Sequence, residues 1–321
     1  MAREPRVSVV FATHDRAARL RELLESLERQ ELDSSEFEVV VVDDASSDDT
    51  PAALTEAERQ GTLDLRVLRL DPGQGPAAAR NAGWRAARAP LVVFTDDDCV
   101  ASPEWLTAYL RAAAEVPGRV LQGPTQPRSD ELHAEGPFSR TLRVDALGPY
   151  FQTCNVAYPR ALLVRVGGFD SETFTVPGGE DADLAWRAMA TGAGASFVPE
   201  AQVFHAVSRL GPLGRLRVAW RWSETVRIFA RHRELRRRAL TYNIFWKRTH
   251  YLLFRALLAL LLPRRLRPIG WFLAYPYLAH FRTRGQVEGG GLALAPYYLL
   301  YDLVELVAMV RGSVRYRTLV L

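Results

Sequence analysis

The sequence predicts an α/β protein with a mainly parallel central sheet, extended by a mostly helical C-terminal annex. In residues 1–206, continuous apolar runs alternate with segments of helical spacing, and strands of this kind are typical of parallel sheets covered on both faces. Residues 1–206 carry 20 basic and 32 acidic side chains, whereas residues 207–321 carry 21 and 5. The net charges of −12 and +16 indicate that the two regions face different surroundings. A chain of 321 residues is long enough for both.

Four strands and three helices are predicted in order along the first region. The strands are apolar runs rich in valine or leucine, at residues 6–13, 37–44, 64–71 and 90–98. The helices have apolar residues at intervals of three and four, or clear boundary residues, at residues 16–30, 49–61 and 75–89. Ligands of such sheets bind beyond the carboxyl ends of the strands, so we expect a site at that edge.

Polar side chains follow three of these strands, at residues 13–16, 43–44 and 96–98. One such segment alone is explained by helix capping or turn formation, for which aspartate and threonine are well suited. Three of them on one edge, including a triple carboxylate, favour a binding site.

The triple carboxylate predicts a metal site. Adjacent anions repel one another, and their desolvation is costly unless a cation compensates. Hard oxygen ligands suit Mg²⁺ or Mn²⁺, which keeps several waters and binds a substrate's phosphates. Because the predicted strand runs to residue 98 and a strand alternates its side chains, Asp96 and Asp98 are expected to point the same way and Asp97 elsewhere. We therefore expect a divalent metal that holds a diphosphate.

Two common nucleotide-binding classes are excluded by the residues after the first strand. No glycine-rich loop with a lysine follows it, which argues against a P-loop. No G-x-G-x-x-G follows it either, which argues against a dinucleotide-dependent dehydrogenase.

The first region resembles the inverting family 2 glycosyltransferases of GT-A fold, over about residues 6–206. Five segments in family order carry the resemblance, namely VSVVFATHDR, VVVVDDASSDDT, GPAAARNAGW, FTDDDCVASPEWL and VGGFDSETFTVPGGEDADLAWRA. The resemblance implies a GT-A nucleotide-sugar-binding fold, a nucleoside-diphosphate sugar as donor and a divalent metal, Mn²⁺ or Mg²⁺, as cofactor.

The resemblance also implies donor-binding residues. Asp44 would accept a hydrogen bond from the nucleotide base, with Thr13 and Arg80 nearby, and Arg16 closes the motif at the end of the first strand. His14 stands where the family usually has tyrosine and would stack on the base. Asp15 and Ala45 replace the family's asparagine and glycine, which leaves the identity of the base open.

The metal and catalytic roles follow from the same resemblance. Asp96 and Asp98 would serve the ribose and the metal, with Asp98 the direct ligand, and His205 lies where relatives place a further polar group near the diphosphate. Asp181 would be the catalytic base, because a hydroxyl needs to lose its proton as it attacks. Glu180 would orient the acceptor or help hold the donor. The alternative is that Glu180 or Asp181 caps the following helix, where acids suit the dipole.

Residues 123–149 are rich in glycine, proline and charge, and they predict a mobile loop over the site. Asn155 and Phe169, which follow this segment, are candidates to support the site residues from behind, although ordinary packing explains Phe169 better. The chain has two cysteines, too few for a disulfide scaffold, so we expect a reducing, cytoplasmic setting.

The annex, residues 207–321, predicts association with an anionic membrane surface. Residues 213–240 have helical spacing with many arginines, and residues 251–263, 269–281 and 292–310 are apolar but short or interrupted by charge or proline. Such segments suit helices that lie in the membrane plane, on its cytoplasmic face, better than spanning helices. A soluble annex remains an alternative. Nucleic-acid binding is disfavoured, because long aliphatic runs interrupt the basic segments.

The predicted function is transfer of one sugar per encounter to a hydroxyl of a glycan or lipid-linked glycan. The processive signature of the family, Gln-x-x-Arg-Trp, is incomplete, since Val218 stands where the glutamine belongs before Arg221 and Trp222. Two alternatives remain open. A nonenzymatic membrane-bound scaffold would have no reason to retain mutually repelling carboxylates, and nucleotidyl transfer does not account for the Gly-Gly-Glu-Asp segment.

Overall fold

The computed structural model describes residues 4–287 and 289–321. They form two compact units. One unit, called the sheet unit below, holds the described residues up to Leu132 together with Thr141–Ala206. The other, called the helical unit, holds His133–Arg140 and the described part of Val207–Leu321.

Strands and helices alternate through the sheet unit, and helices dominate after it. The strands are β1 (Val7–Thr13), β2 (Phe37–Asp44), β3 (Leu65–Leu70), β4 (Leu91–Thr95), β5 (Cys99–Ala101), β6 (Val120–Gln122), β7 (Thr125–Pro127), β8 (Ser139–Arg140), β9 (Asn155–Pro159), β10 (Ala195–Phe197), β11 (Val203–His205) and β12 (Ser208–Arg209). The helices are α1 (Ala17–Glu28), α2 (Thr50–Gln60), α3 (Pro76–Ala86), α4 (Trp105–Glu115), α5 (Arg160–Val166), α6 (Glu180–Ala190), α7 (Gly211–Arg221), α8 (Val226–Arg231), α9 (Arg233–Ala239), α10 (Arg248–Leu260), α11 (Arg267–Val287) and α12 (Ala295–Tyr316).

The central sheet has seven strands in the order β10-β6-β9-β4-β1-β2-β3. The pairs β1–β2, β1–β4, β2–β3 and β6–β10 are parallel, while β9 runs antiparallel to both of its neighbours. The prediction of a mainly parallel α/β sheet with a helical C-terminal part is therefore confirmed.

Both faces of the sheet are buried. Val9 and Phe11 of β1 belong to a core cluster that includes Leu20 and Leu23 of α1. Val10, between them, belongs to the cluster on the other face, with Trp84 of α3. Because successive side chains of a strand point to opposite faces, an uninterrupted apolar run is what a doubly covered strand requires.

The strand predicted at residues 90–98 is shorter in the structure. Strand β4 ends at Thr95, and the three aspartates form a turn that leads into β5. The turn is closed by the backbone N–H of Cys99, which donates to the carbonyl of Asp96 at 3.1 Å. Aspartate disfavours strands and favours turns, so strand alternation is the wrong basis for placing these side chains.

Residues 123–149 are also more regular than predicted. The segment contains β7, a 3₁₀ helix at Ser129–Ala134 and β8. The backbones of Thr125 and Val144 exchange two hydrogen bonds, of 3.0 and 2.8 Å. A single irregular loop is therefore the wrong description of this segment.

The helical unit is built from α7 to α12 and the short β8–β12 pair. Residues 213–240 were predicted as one amphipathic helix, but they form α7, a 3₁₀ turn, α8 and α9. The backbone of His232 is extended, with φ −117° and ψ 96°, which ends α8 and starts α9. Ser223 of the 3₁₀ turn is buried, while Trp220 of α7 is half-exposed.

Helices α10, α11 and α12 share a small core of Leu253, Tyr277, Phe281 and Tyr298. Among the described residues, one helical stretch, Gly291–Tyr316, is long and apolar enough to cross a membrane. Two acids of that stretch are buried in the helical unit. Asp302 accepts a hydrogen bond from Arg284 at 2.8 Å, and Glu305 accepts two from Lys247 at 2.6 and 2.8 Å.

Candidate functional site

The site is built where β1, β2 and β4 end side by side. Thr13, the last residue of β1, is in register with Asp43 of β2. Its hydroxyl donates a hydrogen bond of 2.8 Å to Asp97 in the turn after β4. The polar ends of three neighbouring strands therefore converge on one edge of the sheet unit.

A candidate metal centre lies in the turn after β4. One ligand atom each from Asp96, Asp98 and His205 lies within 4.8 Å of the other two. The Nδ1 atom of His205 is 2.8 Å from the carbonyl of Ala206. A carbonyl only accepts, so Nδ1 carries the proton and Nε2, 3.4 Å from Asp98 Oδ1, keeps a lone pair. Two carboxylates and one such imidazole fit a divalent cation.

Asp97, the middle acid, faces a different set of partners. It accepts the hydrogen bond from Thr13, and its other oxygen is 3.8 Å from Arg16. Burial raises the pKa of Asp97 to about 7, with Arg16 opposing the shift and Asp98 adding to it. Sequence reasoning assigned Asp97 no role, and the structure gives it the task of fixing the acidic turn against β1.

Arg16 pairs with the acidic turn from the start of α1. Its Nη1 lies 2.5 Å from Asp98 Oδ2. Asp98 therefore has one oxygen toward Arg16 and the other toward His205. A half-exposed guanidinium at this point compensates part of the repulsion between the acids.

Arg80 of α3 connects the acidic turn with the start of α6. Its Nη2 donates to Asp96 Oδ1 at 2.6 Å, and its Nη1 is 3.8 Å from Glu180 Oε1. The side chain is 10% exposed, and its Nε and Nη1 have no hydrogen-bond partner among the described atoms. Burial opposes its charge, but Asp96, Asp181 and Glu180 outweigh burial and raise the pKa of Arg80. Buried donors of this kind are suited to oxygen atoms of a ligand.

Asp181 lies in the first turn of α6, where Thr153 fixes it. The Thr153 N–H donates to one carboxylate oxygen at 3.1 Å and the Thr153 hydroxyl to the other at 3.0 Å. Burial, followed by the charge of Glu180, raises the pKa of Asp181 to about 7, although Arg80 opposes the shift. A carboxylate of this pKa accepts protons effectively near neutral pH.

Neither acid of the Gly-Gly-Glu-Asp segment caps α6. The helix begins at Glu180, its N-cap is Gly179, and none of the described side chains hydrogen-bonds to this cap. Glu180 instead accepts the backbone N–H of Gly178 at 2.7 Å. Gly179 has φ +108°, a conformation that favours glycine, and this tight entry places Glu180 beside Arg80.

Asp44 is the last residue of β2, and His14 directly follows the neighbouring strand β1. Each oxygen of Asp44 accepts a backbone N–H of the segment before α3, from Gln74 at 2.7 Å and Gly75 at 2.8 Å. The Nδ1 of His14 is 2.7 Å from the carbonyl of Asp44. The His14 side chain is 59% exposed, so the face of its ring is available for stacking.

Sequence reasoning missed Asn81, which ties α3 to the loop before α6. Its amide donates to the carbonyl of Phe169 at 2.8 Å and accepts the Phe169 N–H at 2.9 Å. It also accepts the indole N–H of Trp84 at 2.8 Å. The quoted Ala-Arg-Asn segment contained the signal, because Asn81 directly follows Arg80.

Asn155 and Phe169, predicted to support the site, are buried and make structural contacts. The amide of Asn155 bonds to Trp105, Tyr109 and the carbonyls of Pro124 and Ala201. Phe169 packs edge-on against Phe94, with ring centroids 5.3 Å apart. Both residues hold the walls of the site through packing and internal hydrogen bonds.

Comparison with known proteins finds similarity to glycosyltransferases. A family model described as glycosyl transferase family 2 matches residues 8–169. Validoxylamine A glucosyltransferase from Streptomyces hygroscopicus subsp. jinggangensis is 36% identical, over 59% of this chain and 52% of its own length. The chain spans about half the length of the curated relatives it matches first.

Solved structures share the fold. A mannosyltransferase from Pyrobaculum calidifontis, in complex with GDP-Man and Mn²⁺, has a TM-score of 0.60 and 23% identity, covering 98% of this chain and 88% of its own. TarS from S. aureus, in complex with UDP-GlcNAc, has a TM-score of 0.55 and 19% identity, covering 98% and 92%.

Proposed function

This chain belongs to glycosyl transferase family 2, and from that premise we propose that it moves a sugar from a nucleoside-diphosphate sugar to an acceptor hydroxyl with inversion. One observation carries the proposal. The acidic turn with its metal-suited donors and the raised-pKa carboxyl of Asp181 flank one buried guanidinium, that of Arg80. A donor diphosphate and a general base are the two requirements of this reaction.

The donor is held by the strand ends. His14 stacks on the base, while Asp44 shapes the segment beneath it through Gln74 and Gly75. Asp96 faces the ribose and Arg16 the diphosphate. The partnerless N–H groups of Arg80 donate to donor oxygens, which satisfies buried donors that otherwise cost free energy. Thr13 acts through Asp97, whose position it fixes.

The metal site supports the departure of the nucleotide. Asp98 and His205, beside Asp96, would hold a divalent cation, Mn²⁺ or Mg²⁺, which would supply positive charge to the diphosphate leaving group. In support, one solved neighbour of the same fold is described with Mn²⁺.

Asp181 takes the proton of the acceptor hydroxyl as the hydroxyl attacks the anomeric carbon. Thr153 fixes both oxygens of the carboxylate, so the base is oriented before the acceptor arrives. Glu180 precedes the base and pairs with Arg80, so it connects Asp181 with the arginine that holds the donor. Attack from the face opposite the leaving diphosphate inverts the configuration at that carbon.

The acceptor is proposed to be a glycan or lipid-linked glycan at the cytoplasmic face of a membrane. Support comes from the net charge of +16 in residues 207–321 and from large apolar side chains exposed on the helical unit. A basic surface with exposed leucine, tryptophan and phenylalanine suits an anionic lipid surface.

A screen of nucleotide sugars tests the proposed function. Calorimetry with Mn²⁺ present should find tight binding of one donor class, and product assays should find slow release of its nucleoside diphosphate. A nonenzymatic scaffold would bind a nucleotide without turnover, and a nucleotidyltransferase would release pyrophosphate instead. Either result would replace the proposed reaction.

A further inference from the structure

We propose that the turn between α10 and α11, with the first half of α11, is the element by which this protein docks on an anionic lipid surface. This element, residues 260–278, is called the tip below. The inference rests on the helical unit alone and does not depend on the proposed sugar transfer.

The tip exposes large apolar side chains that the fold leaves without a core. Leu260 and Leu261 are 79% and 80% exposed, and Trp271 and Phe272 are 69% and 76% exposed. Tyr275, at 69%, continues the same stripe one turn later. Soluble surfaces carry single apolar residues, but a dense group of this size marks an interaction surface.

The opposite side of the same two helices is already packed. Leu253 of α10 and Tyr277 and Phe281 of α11 are buried together with Tyr298. The exposed residues of the tip are therefore not needed to hold α10 against α11. Their exposure is a consequence of the way in which these helices pair.

Basic side chains surround the apolar group. Arg264, Arg265 and Arg267 are exposed in the turn itself. The sequence contains no acidic residue between Glu234 and Glu288, so the local charge of the tip is strongly positive. Arginines beside leucine and tryptophan match the two layers of an anionic membrane, in which headgroups lie outside the hydrocarbon.

The same charges argue against two other occupants. A second copy that met the tip through a two-fold axis would bring Arg264, Arg265 and Arg267 close to their own copies, and like charges repel. A nucleic acid would leave Leu260 and Leu261 in water, because its bases stack on aromatic side chains and its phosphates bind basic ones, and neither buries an aliphatic side chain. An anionic lipid surface binds both, because its headgroups pair with the arginines and its hydrocarbon buries the apolar side chains.

Co-sedimentation of the full chain with vesicles tests the proposal. Vesicles of phosphatidylglycerol and phosphatidylcholine should bind at least tenfold more protein than phosphatidylcholine alone, and salt should weaken the binding. The variant R264E/R265E/R267E should lose at least tenfold in binding to the anionic vesicles. The variant W271S/F272S should lose binding that salt does not remove.

Two matched controls test whether vesicle binding depends on the tip itself or on any exposed basic or apolar side chain. R21E/R29E/R111E reverses three exposed arginines of α1 and α4, and L213S removes an apolar side chain of 69% exposure on α7. Both should bind vesicles nearly as the unaltered chain does. Because the changed positions are exposed, all variants should fold, and melting curves check this.

The proposal is overturned if the two tip variants pellet like the unaltered chain, or if the controls lose as much binding as they do. The tip variants could also stay bound to vesicles as firmly as the unaltered chain and be released only by detergent. That result would assign membrane attachment to the apolar stretch Gly291–Tyr316 instead. Since none of the changed residues belongs to the candidate active site, nucleotide binding measured in parallel reports separately on the proposed function.

Discussion

Thr153 holds both carboxylate oxygens of Asp181, one through its backbone N–H at 3.1 Å and one through its hydroxyl at 3.0 Å. The two residues are 28 positions apart and come from different elements, so the contact fixes α6 against the segment before β9. A base that is held at both oxygens has one orientation, which is what proton transfer during attack requires.

Replacing Thr153 by valine tests the positioning of the base. The Thr153→Val variant keeps the shape and the N–H bond but removes the hydroxyl bond, which is worth about 1 kcal/mol. We expect kcat to fall roughly fivefold while the donor Kd is unchanged, and the acid limb of the pH–rate profile to shift to higher pH. The Thr153→Ser variant should restore most of the rate. A fall in thermal stability with no change in the pH profile would make the contact merely structural.

Removing Asp98 tests the metal site. Asp98→Ala takes away the proposed direct ligand and the partner of Arg16 and His205, so Mn²⁺-dependent binding of a nucleoside diphosphate should weaken by ~10-fold or more. Asp64→Asn is the matched control, because Asp64 precedes β3 at the opposite end of the sheet and pairs with Arg88 at 2.5 Å. Full turnover by Asp98→Ala in the presence of EDTA would refute the metal assignment.

The pH dependence of turnover follows from Asp181. Burial and the neighbouring Glu180 raise its pKa to about 7, and only the deprotonated carboxylate can accept a proton. Activity should therefore fall about tenfold per unit as the pH drops below that value. Rate measurements across the acid range, with stability checked at each pH, decide the matter. A rate that stays flat down to the ordinary pKa of a carboxyl would mean that another group is the base.

The helical unit makes its own prediction about stability. Burial alone would raise the pKa of Glu305, but Lys247 and His250 outweigh it and lower the pKa to about 2. A lowered pKa contributes stability that is fully present above the ordinary pKa of 4.5 and is lost as the pH falls toward about 2. Glu305→Gln should therefore destabilise the protein at neutral pH, by about 1–3 kcal/mol. The difference in unfolding free energy between the variant and the unaltered chain should become smaller as the pH falls below the ordinary pKa.

Glu234→Gln provides the control for that experiment. Glu234 pairs with Arg237 at 2.7 Å, but both side chains are more than half exposed, and such surface pairs contribute little. Thermal unfolding of both variants across the acid range distinguishes the buried pair from the surface pair. Equal effects of the two substitutions would show that Glu305 contributes no more than a surface charge.

The sequence predicts the sheet well, because β1 to β4 are continuous apolar runs that only a doubly covered strand explains. It also predicts that Thr13, Asp44 and Asp96 belong to one edge, since parallel strands end together. Family membership and the α/β class both follow from these segments and are confirmed.

The remaining features depend on tertiary contacts that leave no local pattern. Strand alternation groups Asp96 with Asp98, as the structure does, but for the wrong reason, because the three aspartates form a turn and not a strand. The bond from Thr153 to Asp181 joins residues without a shared periodicity. The separation of α8 from α9 depends on the extended backbone at His232, which helical spacing alone does not predict.

Turnover by Asp181→Asn is the most direct test of the account. The amide keeps the size of the side chain and removes its basicity, so turnover of the nucleotide sugar identified by the screen should fall by ~10²-fold or more. Calorimetry should find donor binding within about twofold of the unaltered chain, because Asp181 is proposed to act on the acceptor. Turnover near that of the unaltered chain, with binding intact, would contradict the assignment of Asp181 as the base.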